Sequence, residues 1–188
     1  WAWGASRRAT EGLLRVLRRG LGGAGVGLAD PHGRGCHMQS SVAGFRLGFA
    51  ELVLRQIAAE AHRLDVELLL LKGAALALTV YGAFRDRPMG DLDILVRPQQ
   101  ARRLWDRLRE DGWGLEYESG EEFYREHHHL PPLVRGGGSG VVLEIHRALL
   151  PPRGPFPEEA DVSWEHARRL ELDEGSVWVM APEDQLIH

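Results

Sequence analysis

The chain has 188 residues, 44% of them hydrophobic, a formal net charge of −4 and one cysteine. That length and apolar content suit a single domain with a real core. Cys36 alone excludes a disulfide framework and a thiolate metal site, and the acidic balance gives no broad basic face for duplex nucleic acid. No apolar run reaches transmembrane length and no signal-like apolar region opens the chain, so a cytoplasmic protein with no membrane partner is expected.

Residues 1–37 are rich in Gly and Arg and lose any period after Gly20; they are expected to be a flexible or non-core extension. The GLGGAGVG run within them follows no strand and opens no helix, so it is not read as a phosphate loop. Residues 38–180 are expected to form the folded unit. Val42 to Leu64 has apolar residues at helical spacing, with Ser40 or Ser41 as a cap, and reads as a packing helix.

The most informative stretch runs from Val66 to Val96. Val66 to Leu71 is a short apolar run broken by Glu67, and it ends at Lys72-Gly73, as a buried strand would. Ala74 to Tyr81 has helix-forming composition, and Arg85 to Gly90 is a polar loop. Asp91-Leu92-Asp93-Ile94-Leu95-Val96 then reads as a strand. Strand parity points Asp91 and Asp93 the same way. Two like charges so close repel unless a cation lies between them, and Mg²⁺ is the ordinary occupant of such an oxygen site. Lys72 is the only lysine beside 22 arginines, which suggests a need for a compact ammonium at this turn.

Downstream, Pro98 is placed near the first position of a helix that reaches about Asp111 and stops at Gly112. Trp113 to Tyr117 reads as a strand. Tyr124 to Val134, with His127, His128 and His129, is expected to be a partly exposed strand. On that reading the three imidazoles alternate between faces and cannot share one metal ion. Arg135 to Gly140 is a hairpin connection, and Val141 to His146 is the return strand, with Val142, Glu144 and His146 on one face. A Glu among Val, Leu and Ile is costly to bury unless it is paired or metal-bound. A proline-rich loop, Pro151 to Pro157, precedes two short segments around Asp173 to Gly175, and residues 181–188 open a C-terminal helix.

An apolar strand, Lys72-Gly73-Ala74-Ala75-Leu76, Arg87, Asp91-x-Asp93 and a later Glu144-x-His146 strand together resemble the nucleotidyltransferases of the DNA polymerase β superfamily, in particular its uncharacterised nucleotidyltransferase branch. The likeness covers roughly residues 42–188. It implies an α/β (α+β) palm, a small mixed sheet with flanking helices, ending before a C-terminal helical region. It also implies transfer of a nucleoside monophosphate from a nucleoside triphosphate to an acceptor hydroxyl, with release of pyrophosphate. On this resemblance Asp91, Asp93 and Glu144 are catalytic and hold two Mg²⁺ ions. Lys72, Gly73, Ala74, Arg87 and His146 contact the nucleotide or its surroundings. The acceptor, whether RNA, protein or a small molecule, is not specified. The superfamily's usual Gly-Ser turn is Gly73-Ala74 here, so phosphate contact at that point would rest on backbone N–H groups and Lys72. The alternative is a non-catalytic module that keeps the fold to bind a nucleotide or a protein.

Overall fold

A computed structural model describes residues 35–117, 122–136, 140–150 and 162–188, with side chains in the first helix described from residue 48. The reading of residues 1–34 and of the proline-rich loop therefore falls outside the described residues.

The first helix, α1, spans Gly35–Arg63. It begins before Ser40 and Ser41, which lie inside the helix rather than at its cap. Val53, Leu54, Ile57, Ala58 and Ala61 recur at three- and four-residue spacing and are buried, so one stripe of α1 packs on the sheet. Each fully buried Leu or Ile of this kind contributes about 1.5–3 kcal/mol. Strand β1 is only Leu69–Leu70. It is followed by the short helix α2, Lys72–Leu76, a π-helical turn at Ala77–Tyr81 and a 3₁₀ turn at Phe84–Asp86.

Strand β2 is Asp91–Leu95. Helix α3, Pro98–Glu110, carries Pro at its start, and Gly112 follows its end with φ +90°, the left-handed conformation a terminating glycine adopts at little cost. Strands β3 (Gly114–Leu115), β4 (Leu133–Arg135) and β5 (Val141–His146) come next. The short helix α4 (Val162–Glu165), the hairpin β6 (Arg168–Leu172) and β7 (Gly175–Val179), and α5 (Pro182–Ile187) complete the described chain.

The seven strands form one sheet in the order β3-β4-β5-β2-β1-β7-β6. It is mixed: β2 runs parallel to β5 and β1 parallel to β7, whereas β1 is antiparallel to β2. The hairpin turn before β7 lies close against α1, where a Cβ on Gly175 would stand 3.1 Å from the Ala58 carbonyl oxygen.

The two faces of the sheet differ. Leu68, Leu70, Leu92, Ile94, Leu143, Ile145, Val177 and Val179 belong to the large core shared with α1 and α3. Leu69, Leu71, Leu95 and Met180 form a second, smaller cluster with Trp164 and Trp178 against it. Strand parity therefore assigns Asp91, Asp93, Glu144 and His146 to the face with the smaller cluster. That face is only partly covered by apolar packing, which leaves room for polar chemistry beside it.

Candidate active site

Two strands that are distant in sequence and parallel in space build the site. Register pairs Asp93 with Glu144 and Leu95 with His146. Asp93 and Glu144 are thus side by side on one face, and His146 is one step further along the same face of β5. Asp91 shares the face from the start of β2.

Asp93 is almost fully buried and is held from two directions. Its Oδ1 accepts a hydrogen bond from the Lys72 ammonium at 2.6 Å and lies 3.0 Å from His146 Nε2. The same His146 nitrogen is 3.4 Å from Glu144 Oε2. With its proton on Nε2, His146 bridges the two carboxylates. The other ring nitrogen of His146, Nδ1, is buried without a hydrogen-bond partner. Donor atoms of Asp93, Glu144 and His146 all lie within 4.8 Å of one another. Asp91 stands outside that close group, though its charge is felt there.

The electrostatics separate the two aspartates. Burial and the neighbouring Asp93 and Glu144 charges push the Asp91 carboxyl above its ordinary range. Burial also pushes Asp93 upward, but hydrogen bonds from His146 and Lys72 outweigh it and the net is below the ordinary range. The hydrogen bond from His146 lowers Glu144. On the basic side, burial works against the charged forms of Lys72 and His146, yet their bonds to Asp93 raise both. Hydrogen-bond partners therefore outweigh burial at Asp93, whereas at Asp91 burial and the like charges outweigh the attraction of Lys72.

The Lys-Gly turn has a structural explanation of its own. Lys72 adopts φ +44°, sparsely populated for any residue but glycine. A Cβ on Gly73 would meet Met89 Cβ at 3.0 Å, so glycine is needed for close packing there. Ala74 is buried in the large core. A hydroxyl at that position would point into apolar surroundings. Arg87 donates to the Pro88 carbonyl; the structure brings it to neither aspartate.

The histidine run departs from the strand expected of it. Residues 127–129 follow a 3₁₀ turn at Phe123–Glu126, and strand structure begins only at Leu133. His129 makes one isolated bridge to His146. Pro131 and Pro132 explain the interruption, because each lacks the N–H that a continuous ladder needs. Without strand geometry the alternation argument fails, and one ring nitrogen from each of His127, His128 and His129 lies within 4.8 Å of the others. The rings of His128 and His129 are also 5.2 and 5.5 Å from that of His146. Burial and the surrounding imidazoles push His128 down to about 4.

The profile of a family described as uncharacterised nucleotidyltransferases matches residues 9–188. The chain belongs to that family. No curated protein matches it. Among solved structures, a putative nucleotidyltransferase (TM1012) from Thermotoga maritima superposes with a TM-score of 0.51 at 17% identity, covering 73% of this chain and 81% of that one. The lincosamide antibiotic adenylyltransferase LnuA, solved with lincomycin bound, superposes with a TM-score of 0.49 at 16% identity, covering 71% and 82% respectively. Identities this low speak to the fold alone, and the fold is that of a nucleotidyltransferase. The family profile also reaches well upstream of residue 42, where the resemblance seen in the sequence begins. No described helix of this family member is long and apolar enough to cross a membrane.

Proposed function

We propose that this family member transfers a nucleoside monophosphate from a nucleoside triphosphate to an acceptor hydroxyl. The observation that carries the reading is the parallel register setting Asp93 beside Glu144, with Asp91 on the same face and a single ammonium held against Asp93. The acceptor oxygen attacks the α-phosphorus, the bond from that phosphorus to the bridging oxygen breaks, and pyrophosphate leaves with the electron pair.

The residues fit a divalent cation. Three carboxylates share a face, two of them within close reach, and Asp93 already draws an ammonium and an imidazole nitrogen to itself. Asp91, Asp93 and Glu144 would hold Mg²⁺, two ions in the full arrangement. Bound there, the metal supplies charge neutralisation at the phosphates and a lower pKa for the acceptor hydroxyl. The remaining work belongs to the chain. His146 orients Asp93 and Glu144 through one ring nitrogen. Lys72 is half-exposed, so its ammonium is free to swing from Asp93 to the triphosphate. Glu144, only partly buried, would take the acceptor's proton. Gly73 and Ala74, which follow Lys72 at the start of α2, are buried, so the phosphate contact rests on the Lys72 ammonium.

A second reading, a non-catalytic module that binds a nucleotide or a protein, is favoured by one observation. Lys72 neutralises Asp93 within the protein itself, as a retired metal site would require. Incubating the protein with Mg²⁺, α-labelled nucleoside triphosphates and cell extract separates the two. Catalysis gives Mg²⁺-dependent pyrophosphate release and a labelled acceptor, both lost in Asp93→Asn. Nucleotide binding with no pyrophosphate from any triphosphate supports the module instead.

A further inference from the structure

We propose that His127, His128 and His129 form a second metal site, separate from the carboxylates, that takes a late first-row divalent cation, Zn²⁺ by preference. The proposal goes beyond nucleotidyl transfer and does not depend on it. Imidazole nitrogen suits Zn²⁺ and its neighbours in the series, whereas Mg²⁺ prefers oxygen. The two kinds of ligand are sorted on this chain: three imidazoles in one turn, three carboxylates on the sheet face.

The geometry is close to what such an ion needs. Tetrahedral Zn²⁺ with bonds of about 2.0–2.1 Å sets its nitrogens about 3.4 Å apart. The three donor atoms lie within 4.8 Å of one another, so closing around the ion takes shifts of about 1.4 Å or less. Side-chain rotation is enough for that, because all three rings are only partly buried.

The backbone carrying them is pinned. The Arg147 guanidinium donates to the carbonyls of Tyr124, Arg125 and His127, the last at 2.6 Å. The Arg147 N–H donates to the His128 carbonyl at 2.7 Å, and the Leu130 N–H to the Ile145 carbonyl. One ring is already oriented. His129 Nδ1 bonds the Leu130 carbonyl at 2.8 Å, which makes Nδ1 the protonated nitrogen and leaves the lone pair on Nε2, as an outer hydrogen bond does for a metal-ligating histidine. The rings of His127 and His128 pack against neighbouring rings. Three protein ligands with partial exposure leave a coordination position for water or a small ligand, the pattern of an open rather than a structural zinc site.

The test is Zn²⁺ binding by the full chain in competition with a chelating dye, together with the visible absorption of the Co²⁺-substituted protein. Wild type is expected to bind one equivalent of Zn²⁺ tightly and to give Co²⁺ bands of a nitrogen-ligated, low-coordinate ion. His127→Gln and His128→Gln, at partly exposed positions, are expected to keep the fold by circular dichroism. Each should weaken Zn²⁺ by more than the 10–100-fold that loss of an outer partner costs, which is about that range in ligated histidines generally. Asp93→Asn is expected to bind Zn²⁺ as wild type does, even where it abolishes nucleotidyl transfer, so failure of the transfer reading leaves this result untouched. Zn²⁺ binding that survives both histidine substitutions, or disappears in Asp93→Asn, overturns the site. So does an absence of Zn²⁺ binding in wild type.

Discussion

The Lys72 ammonium rests 2.6 Å from Asp93 Oδ1, so the one lysine of the chain already serves as the cation of the carboxylate pair. Its side chain is half-exposed while that of Asp93 is buried, so Lys72 is the partner able to leave. Its neighbours do not explain the residue type, since an arginine fork would also reach a carboxylate. On the proposed function, a compact ammonium that alternates between a buried aspartate and a triphosphate would explain it.

Lys72→Ala is therefore expected to raise the dissociation constant for nucleoside triphosphate by about tenfold to a hundredfold, as loss of a charge-assisted contact of about 1.5–3 kcal/mol would. It should leave Mg²⁺ binding alone unharmed, or improve it, because Asp93 loses a competing cation. Lys72→Arg should fall between wild type and Ala. Calorimetric titration of each ligand separately checks both parts. Equal nucleotide affinity in wild type and Lys72→Arg would mean that the lone lysine has no special role.

The two aspartates are expected to answer oppositely to neutralisation in EDTA-treated protein. Asp91 has a raised pKa, from burial and its acidic neighbours, so its charge costs stability above the ordinary carboxylate range. Asp91→Asn should raise Tm at pH 7. Asp93 has a lowered pKa, set by hydrogen bonds from His146 and Lys72, so its charge stabilises the fold. Asp93→Asn should cost about 1.5–3 kcal/mol, the range for a hydrogen bond to a charged group. Two like carboxylates on one strand suggest that both oppose folding; the hydrogen bonds from His146 and Lys72 reverse the sign at Asp93. Mg²⁺ should raise Tm in wild type and much less in either variant. Shifts of the same sign for both substitutions would contradict this division.

His128 sets a pH dependence. Its folded pKa is about 4 against an ordinary value of 6.5, so between those values the unfolded chain binds more protons than the folded one. Stability attributable to His128 is therefore complete above pH 6.5 and is lost as pH falls toward 4. Relative to wild type, His128→Gln should gain stability between pH 4 and 5 and show little difference at pH 7.5. Thermal melts of both proteins across that range, in EDTA, give the comparison; parallel curves would show that the cluster does not disfavour the proton.

Gly73→Ala should destabilise by about 1–3 kcal/mol, the usual cost of overpacking, since its Cβ would press on Met89 at 3.0 Å. Denaturant midpoints at unchanged slope are the readout. A neutral outcome would show that Met89 yields and that the glycine is kept for the phosphate side of the turn.

Much of this site is legible from parity alone. Alternation along Asp91–Leu95 and Val141–His146 puts Asp91, Asp93 and Glu144 on matched faces before any partner strand is known, and the resemblance of both strands to the nucleotidyltransferase pattern is what suggests a chemistry for them. What parity leaves open is register between strands far apart in sequence, so the Asp93–Glu144 pairing needs the fold. Lys72 is flagged by composition, but its attachment to Asp93 depends on a left-handed backbone angle that no propensity assigns to lysine. The histidine run is misread for a reason visible in the sequence: Pro131 and Pro132 forbid the ladder that alternation presupposes. Arg147, whose guanidinium holds the carbonyls of Tyr124, Arg125 and His127, leaves no signal, because an arginine whose partners are all backbone resembles any surface arginine.

Strand β1 contributes two residues, Leu69 and Leu70, yet it joins β2 on one side and β7 on the other. Within the sheet, a short ladder, extended by the bond from the Trp178 N–H to the Leu68 carbonyl, joins the β6–β7 hairpin to the strands that carry the carboxylates. A seam this narrow sets a boundary between cooperative units. In native-state hydrogen exchange, the β7 amides should open together with those of β6 at a lower free energy than the β2–β5 ladder. The carboxylate frame would then outlast the loss of the hairpin beside it.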